Sequence, residues 1–219
     1  MADIIEATYY CLIQSVVHTF VAIKPCILST TQFTQYFVFL CVAPPPCPIS
    51  ADIYFVIDST RSLGTGDFNL LQSCAASFVD EFDIASGVIP REGTSRVGIV
   101  EFWGEGFLTR CSEVPVELGD YNDKADLINK INALQYRNGT VTYIESGLET
   151  LLGANQFGVK STEGRQRIAI LMSDGKEETS LPDAGVSRQW MIANATEIRN
   201  RGIQIFAVGS DRSNKENLK

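Results

Sequence analysis

The chain has 219 residues, of which 45% are hydrophobic and 20% charged, and its formal net charge is −8. This length and composition fit one globular domain with an appended segment. The acidic balance argues against a nucleic-acid-binding surface, which requires clustered Lys and Arg side chains, and no basic run exceeds two residues.

Residues 1–50 differ in composition from the rest of the chain. They contain two apolar stretches, at 9–23 and 33–43, and they end in the proline-rich sequence PPPCP. Polar residues interrupt both stretches before they reach the roughly 20 apolar residues of a membrane span. Asp3 and Glu6 replace the positive start of a secretory leader, but the second stretch has the length of a leader's apolar core. We interpret 1–50 as a hydrophobic leader and Pro-rich linker, with a membrane anchor or an ordered part of the fold as alternatives.

From residue 51 onward, predicted strands alternate with predicted helices. Apolar runs predict five strands, at 52–58, 96–103, 107–114, 167–173 and 203–209. Apolar residues at helical spacing predict four helices, at 67–82, 123–134, 143–153 and 186–201. The short GEG turn makes the second and third strands an antiparallel hairpin. The alternation predicts a doubly wound α/β fold: a mostly parallel sheet with one antiparallel edge hairpin and helices on both faces.

Two aspartates follow strands of this predicted sheet. Asp58 ends the first strand and Asp174 follows the fourth, and ligands of such sheets bind at the carboxyl ends of the strands. Two carboxylates at one edge are unfavourable unless a positive charge lies between them. In DSTRS, Asp58, Thr60 and Ser62 alternate, so an extended loop would direct all three side chains the same way. These hard oxygen donors, together with threonines in 138–148, are typical of a Mg²⁺ or Mn²⁺ site.

These motifs resemble the von Willebrand factor A domain family, which includes integrin inserted domains and matrix proteins of the collagen and matrilin type. Its metal-ion-dependent adhesion motif consists of D-x-S-x-S, a separate Thr and a separate Asp in T/S-D-G. The resemblance covers residues 51–219 and implies five metal-binding residues: Asp58, Thr60, Ser62, Thr142 and Asp174. Thr140 is the alternative to Thr142.

The resemblance implies a divalent-cation-dependent protein-binding module for adhesion or the extracellular matrix. Its Mg²⁺ or Mn²⁺ ion would bind an Asp or Glu carboxylate of a protein partner. The sequence departs from the family pattern in having Thr60 for a Ser and Arg61 for a Gly. It also stops where the family has its last helix and strand, so we expect residues 51–219 to be a domain truncated at its C-terminus.

The cysteines and glycosylation sequons favour a secreted or extracellular location. Zinc is disfavoured, because the six cysteines form no C-x-x-C pair and His18 is the only histidine. Cys74 and Cys111 are either buried thiols or, in an exported chain, a disulfide. Sequons place candidate N-glycosylation sites at Asn138 and Asn194.

Two other functions are weighed against the binding module. An enzyme is disfavoured, because residues 51–219 contain no histidine to activate a nucleophile and have Thr60 where a phosphoaspartyl transferase needs a second Asp. A regulatory domain of a larger enzyme, or an intracellular assembly domain of a multi-subunit complex, remains the alternative.

Overall fold

The computed structural model describes residues 50–87, 91–106, 109–153, 157, 164–176 and 184–209. Its strands are β1 (Ala51–Asp58), β2 (Arg96–Glu105), β3 (Thr109–Val116), β4 (Gln166–Met172) and β5 (Gln204–Val208). Its helices are α1 (Gly64–Asp80), α2 (Lys124–Asn132), α3 (Ile144–Leu152) and α4 (Ala184–Asn200). The predicted leader, linker or anchor at 1–50 lies almost wholly outside these residues.

The five strands form one sheet in the order β3-β2-β1-β4-β5. β1 pairs in parallel with β2 and β4, and β4 pairs in parallel with β5. Only β2 and β3 are antiparallel, and β3 contains Pro115 on an edge strand, where the missing N–H of proline is tolerated. The predicted doubly wound fold with one antiparallel edge hairpin is therefore confirmed.

The sheet is covered on both faces. Every residue of β1 is buried, as expected for a central parallel strand. Alternate residues pack on opposite sides: Phe55 joins the core under α1 and α2, and Val56 joins the core under α3 and α4. A Cβ on Gly147 of α3 would lie 2.7 Å from the Phe102 ring and 2.8 Å from Val56 Cγ1, so this glycine lets α3 lie close against the sheet.

The amino ends of the central strands share a buried ion cluster. Both carboxylate oxygens of Asp52 accept hydrogen bonds from Arg96, at 2.8 and 2.7 Å. Arg165 Nε donates to the same carboxylate at 2.9 Å. Asp52 and Arg96 are fully buried, and Arg165 is nearly so. Because Arg96 of β2 and Arg165, just before β4, both bind Asp52 of β1, this cluster links the three strands at their amino ends.

Element boundaries differ from the prediction at several ends. α1 begins three residues early, at Gly64, because Gly64 has a φ of +77° and turns the preceding loop directly into the helix. α2 begins at Lys124 rather than 123, because the Asp123 side chain caps it by accepting a hydrogen bond from Asp126 N at 3.0 Å. β3 extends to Val116, two residues beyond the prediction.

Large apolar side chains on α4 and β5 remain exposed to solvent. They are Val186, Trp190, Ile192 and Phe206. Residues 210–219 lie outside the described ranges, so the expected absence of a final helix and strand stays a prediction. Within the part of the chain that is described, no helix combines the length and apolarity that crossing a membrane requires.

Candidate metal centre

The predicted site residues meet at the carboxyl ends of β1 and β4. These two strands are neighbours in the sheet, and Asp58 ends β1 while Asp174 lies two residues after β4. β1 is also where the strand order changes direction, with β2 on one side and β4 on the other. That position is the usual binding crevice of an open α/β sheet.

Three hydroxyl groups from two loops form the centre of the site. Thr60 Oγ1 lies 3.1 Å from Ser62 Oγ and 3.0 Å from Thr142 Oγ1. Ser62 Oγ and Thr142 Oγ1 are 3.2 Å apart. Residues 82 positions apart in the chain thus share one hydrogen-bonded triangle. Thr60 and Ser62 do approach the same point, but through a turn at 61–63, closed by Leu63 N donating to Thr60 O at 3.2 Å, rather than through the extended loop that the alternation predicted.

Asp58 is held rigidly beneath this triangle. Its Oδ1 accepts hydrogen bonds from Thr60 N at 2.9 Å and Thr60 Oγ1 at 2.6 Å. Its Oδ2 accepts from Ser173 Oγ at 2.6 Å. Burial raises the pKa of Asp58 to about 6, against the effect of these hydrogen bonds, and the nearby Asp174 carboxylate adds to the rise. A buried carboxylate of this kind is stabilised by a bound cation.

Ser173 is a functional residue that sequence reasoning missed. It precedes Asp174 in SDG, and only the aspartate of that tripeptide was assigned a role. The Ser173 hydroxyl donates to Asp58 and accepts from Gly175 N at 3.1 Å, so it links the two carboxylate loops. The signal available in the sequence was its place in the T/S-D-G motif, where both permitted residues carry a hydroxyl.

Asp174 completes the oxygen cluster from the other side. Its Oδ1 accepts from Lys176 N at 3.0 Å and from Ser62 Oγ at 3.4 Å. Its Oδ2 is buried and has no hydrogen-bond partner among the described residues. Lys176 Nζ lies 3.3 Å from Oδ2, close enough for an ion pair but without the alignment of a hydrogen bond.

The structure separates the two candidate threonines. Thr142 is buried and contacts both hydroxyls of the DSTRS loop. Thr140 lies outside the cluster: its Oγ1 accepts from Gly106 N at 2.7 Å and lies 3.4 Å from Gly104 O, to which it donates. Thr140 therefore anchors the turn after β2, and Thr142 is the threonine whose side chain reaches the site.

The loop that carries Thr142 is pinned to the loop that carries Asp58. Arg61 N donates to Gly139 O at 2.7 Å, and Gly139 N donates to Ser59 O at 3.1 Å. A Cβ on Gly139 would lie 2.7 Å from Trp103 Cβ and 3.0 Å from the backbone of Gly104. Only glycine fits this crossing without displacement, so the loops are preorganised by their own backbones.

A second charged cluster lies beside the site. The Glu101 side chain on β2 is fully buried, and Arg137 Nε lies 3.5 Å from its carboxylate. Arg137 also pairs with Glu113 and stacks over Trp103, with Cζ 5.0 Å from the ring centroid. Burial raises the pKa of Glu101 to about 7, although the Ser59 hydroxyl and the Arg137 charge act to lower it.

The donor set fits a hard divalent cation. Two carboxylates and three hydroxyls supply only oxygen atoms, the ligands preferred by Mg²⁺ and Mn²⁺. The buried Oδ2 of Asp174, which lacks a hydrogen bond from any described residue, is a ready acceptor for such an ion. In the described ranges no group of three or more His, Cys, Asp or Glu side chains is placed to hold a metal ion, so a centre here would depend on its hydroxyls.

Of the two alternatives for Cys74 and Cys111, buried thiols or a disulfide, the structure does not form the disulfide. Cys74 lies on α1 in the core beneath that helix, whereas Cys111 lies on the edge strand β3. α1 packs on β1, which is two strands away from β3, or roughly 10 Å within the sheet plane. A disulfide needs Cα atoms within about 7 Å of each other.

The two predicted glycosylation sites have different surroundings. Asn138 is exposed and has a φ of 54° on the loop beside the site. Asn194 lies within α4, and its Nδ2 donates to Glu145 O of α3 at 3.2 Å. The amide nitrogen of Asn194 therefore takes part in helix packing, and Asn138 is the more accessible acceptor.

Sequence comparison agrees with the fold. A family model described as von Willebrand factor type A domain matches residues 52–219. Vitrin of Mus musculus is 28% identical over 156 residues, which are 69% of this chain and 21% of vitrin. The Collagen alpha-1(XII) chain of Notophthalmus viridescens is 25% identical over 170 residues, 77% of this chain and 16% of the collagen. The chain thus spans about a fifth of these relatives or less.

Solved structures show the same fold. Manganese-loaded TRAP protein of Plasmodium vivax matches with a TM-score of 0.61 and 16% identity over 78% of this chain and 62% of that one. Proximal thread matrix protein 1 of the mussel byssus, described with zinc in its MIDAS (metal-ion-dependent adhesion) motif, matches with a TM-score of 0.60 and 23% identity. The match covers 78% of this chain and 39% of that one. Because the family model covers most of its length, the chain belongs to the von Willebrand factor type A domain family.

Proposed function

We propose that residues 51–219 form a divalent-cation-dependent protein-binding module. Its metal would be Mg²⁺ or Mn²⁺, held by five residues: Asp58, Thr60, Ser62, Thr142 and Asp174. The observation that carries the proposal is the convergence of these side chains from three separate loops, linked by contacts between their oxygen atoms. Asp174 adds a buried Oδ2 that has no hydrogen bond from any described residue. Two buried carboxylates at one edge of the sheet repel each other, and a cation bound between them would remove that repulsion.

The charge of the donor set leaves the bound ion able to take another anion. Asp58 and Asp174 together carry two negative charges, and the hydroxyls of Thr60, Ser62 and Thr142 are neutral. A divalent ion held in this way is only just neutralised, so it retains affinity for an external carboxylate. An Asp or Glu side chain of a protein partner is the ligand that this arrangement fits.

Named relatives support an adhesive or matrix setting. Two of the matched proteins are called a collagen chain and a thread matrix protein, and two of the matched structures are described with manganese or zinc. We place this domain, on that support, in a secreted or extracellular protein. The described fold contributes binding rather than catalysis, and its only membrane contact would be through residues 1–50.

The decisive test is metal binding by the 219-residue chain. Thermal unfolding is measured in EDTA and in millimolar Mg²⁺, and the midpoint should be higher with the metal. A ligand that binds only the folded state raises the free energy of unfolding by about 2.7 kcal/mol when its concentration is about 100 times Kd. Asp58→Asn should abolish that gain. Glu113→Gln, an exposed carboxylate outside the donor set, serves as the matched control and should keep it. An equal response to Mg²⁺ in Asp58→Asn and the wild type would refute the proposed metal site.

A further inference from the structure

A lysine ammonium lies beside the carboxylate that is proposed to bind metal. Lys176 Nζ is 3.3 Å from Asp174 Oδ2, and the side chains are 43% and 0% exposed, respectively. The backbone of the same lysine donates to the other oxygen of this carboxylate, at 3.0 Å from Oδ1. The backbone N–H and the side-chain ammonium of Lys176 therefore both contact the Asp174 carboxylate, which keeps the ammonium near the site.

The Asp174 carboxylate needs a positive neighbour when no metal is bound. Its Oδ2 is buried without a hydrogen bond from the described residues, and the Asp58 carboxylate lies in the same pocket. A buried carboxylate without a counter-charge is strongly unfavourable. The Lys176 ammonium supplies that charge, and its poor alignment as a hydrogen-bond donor makes the contact electrostatic rather than directional.

The same contact can be broken easily. Lys176 is nearly half exposed, so its ammonium can return to water without being buried elsewhere. A lysine side chain carries its charge on a flexible four-carbon stem, and its attraction to Asp174 is weakened because the ammonium stays partly in water. A divalent ion at Asp174 would bring two positive charges to a carboxylate that already has one beside it.

We propose that Lys176 is an intramolecular competitor of the divalent cation, neutralising Asp174 in the metal-free protein and leaving it when metal binds. This inference rests on the proposed function, because it assumes that a cation binds at Asp174. It makes Lys176 a residue that sets metal affinity without being a ligand. Arg61, the departure from the family pattern noted above, has no ion pair with Asp58 or Asp174 among the described contacts, so its influence should be weaker.

Three variants of the 219-residue chain test this role. Lys176→Gln removes the charge, Lys176→Arg keeps it, and Arg61→Gln removes a neighbouring charge that does not touch the carboxylate. Each is measured twice: by thermal unfolding in EDTA, and by isothermal titration with Mg²⁺. Lys176→Gln should bind Mg²⁺ about threefold to fivefold more tightly than the wild type, the ratio expected for the loss of one ion pair whose cation is partly exposed to water. Its midpoint in EDTA should fall by about 2–4 °C.

The controls separate competition from a general charge effect. Lys176→Arg should keep the wild-type affinity, and Arg61→Gln should change it less than twofold. Unchanged or weaker Mg²⁺ binding by Lys176→Gln, in a protein whose wild type binds, would overturn the competition and leave the metal site intact. An equal gain in Arg61→Gln would also overturn it. Binding that appears only in Lys176→Gln supports competition, whereas no binding in any variant overturns the proposed metal site itself.

Discussion

Replacing Glu101 by Gln should change how the stability of the domain depends on pH. Glu101 is fully buried beside Arg137, and its pKa rises from an ordinary value of 4.5 to about 7. Below pH 4.5 the residue is protonated in both the folded and the unfolded chain, so it contributes no pH dependence. Between pH 4.5 and 7 the unfolded chain loses the proton first, and the free energy of unfolding therefore falls as the pH rises.

The size of this effect follows from the pKa difference. Each pKa unit corresponds to about 1.4 kcal/mol, so the rise from 4.5 to about 7 corresponds to about 3 kcal/mol between acidic and neutral pH. Glu101→Gln has no proton to lose and should escape this decline. Relative to its own value at pH 4.5, the variant should therefore retain about 3 kcal/mol more of its unfolding free energy at pH 8 than the wild type does.

Urea unfolding in EDTA, repeated at half-unit steps from pH 4.5 to 8, measures this difference. Asp58 also titrates in this range, with a pKa of about 6, but it is present in both proteins and cancels in the comparison. Glu113→Gln is the matched control, because it removes the other carboxylate that pairs with Arg137 but leaves Glu101 in place; its curve should keep the decline, displaced slightly to lower pH because the Glu113 charge adds to the raised pKa of Glu101. Parallel curves for Glu101→Gln and the wild type would refute the account of Glu101 as a carboxyl group held neutral by burial.

Three further substitutions test the two ends of the central strands. Asp52→Ala leaves two buried arginines without their shared carboxylate and should lower the free energy of unfolding by about 3–5 kcal/mol, measured by urea unfolding; a loss below 1 kcal/mol would contradict this role. Thr142→Val should weaken Mg²⁺ binding about tenfold in calorimetric titration, whereas Thr140→Val should leave it within twofold. The opposite order would return the ligand role to Thr140.

The fold could be predicted from the sequence because its signals are local. The apolar run of β1 ends at a carboxylate, and two hydroxyl residues follow it at alternate positions, so each pattern lies within a few neighbouring residues. The helices follow from apolar side chains at helical spacing.

Other features depend on which segments meet in three dimensions. Glu101 lies in the run RVGIVEFW, and nothing in that run indicates that its side chain is buried beside Arg137, 36 residues later. The T/S-D-G motif marks position 173 as a hydroxyl residue, but it does not show that this hydroxyl donates to Asp58 at the end of the neighbouring strand. The two alternatives for Cys74 and Cys111, thiols or a disulfide, stayed open for the same reason, since the sequence does not show how far α1 lies from β3.

The crossing of the two site loops also bears on the Asn138-Gly139-Thr140 tripeptide. Gly139 is required because a Cβ would strike Trp103, and Thr140 is used because its hydroxyl accepts from Gly106 N. Asn138 has a positive φ, a conformation that asparagine tolerates better than most residues. Each of the three residues of this glycosylation sequon thus has a structural reason of its own. The tripeptide is explained by the loop conformation, without an attached glycan.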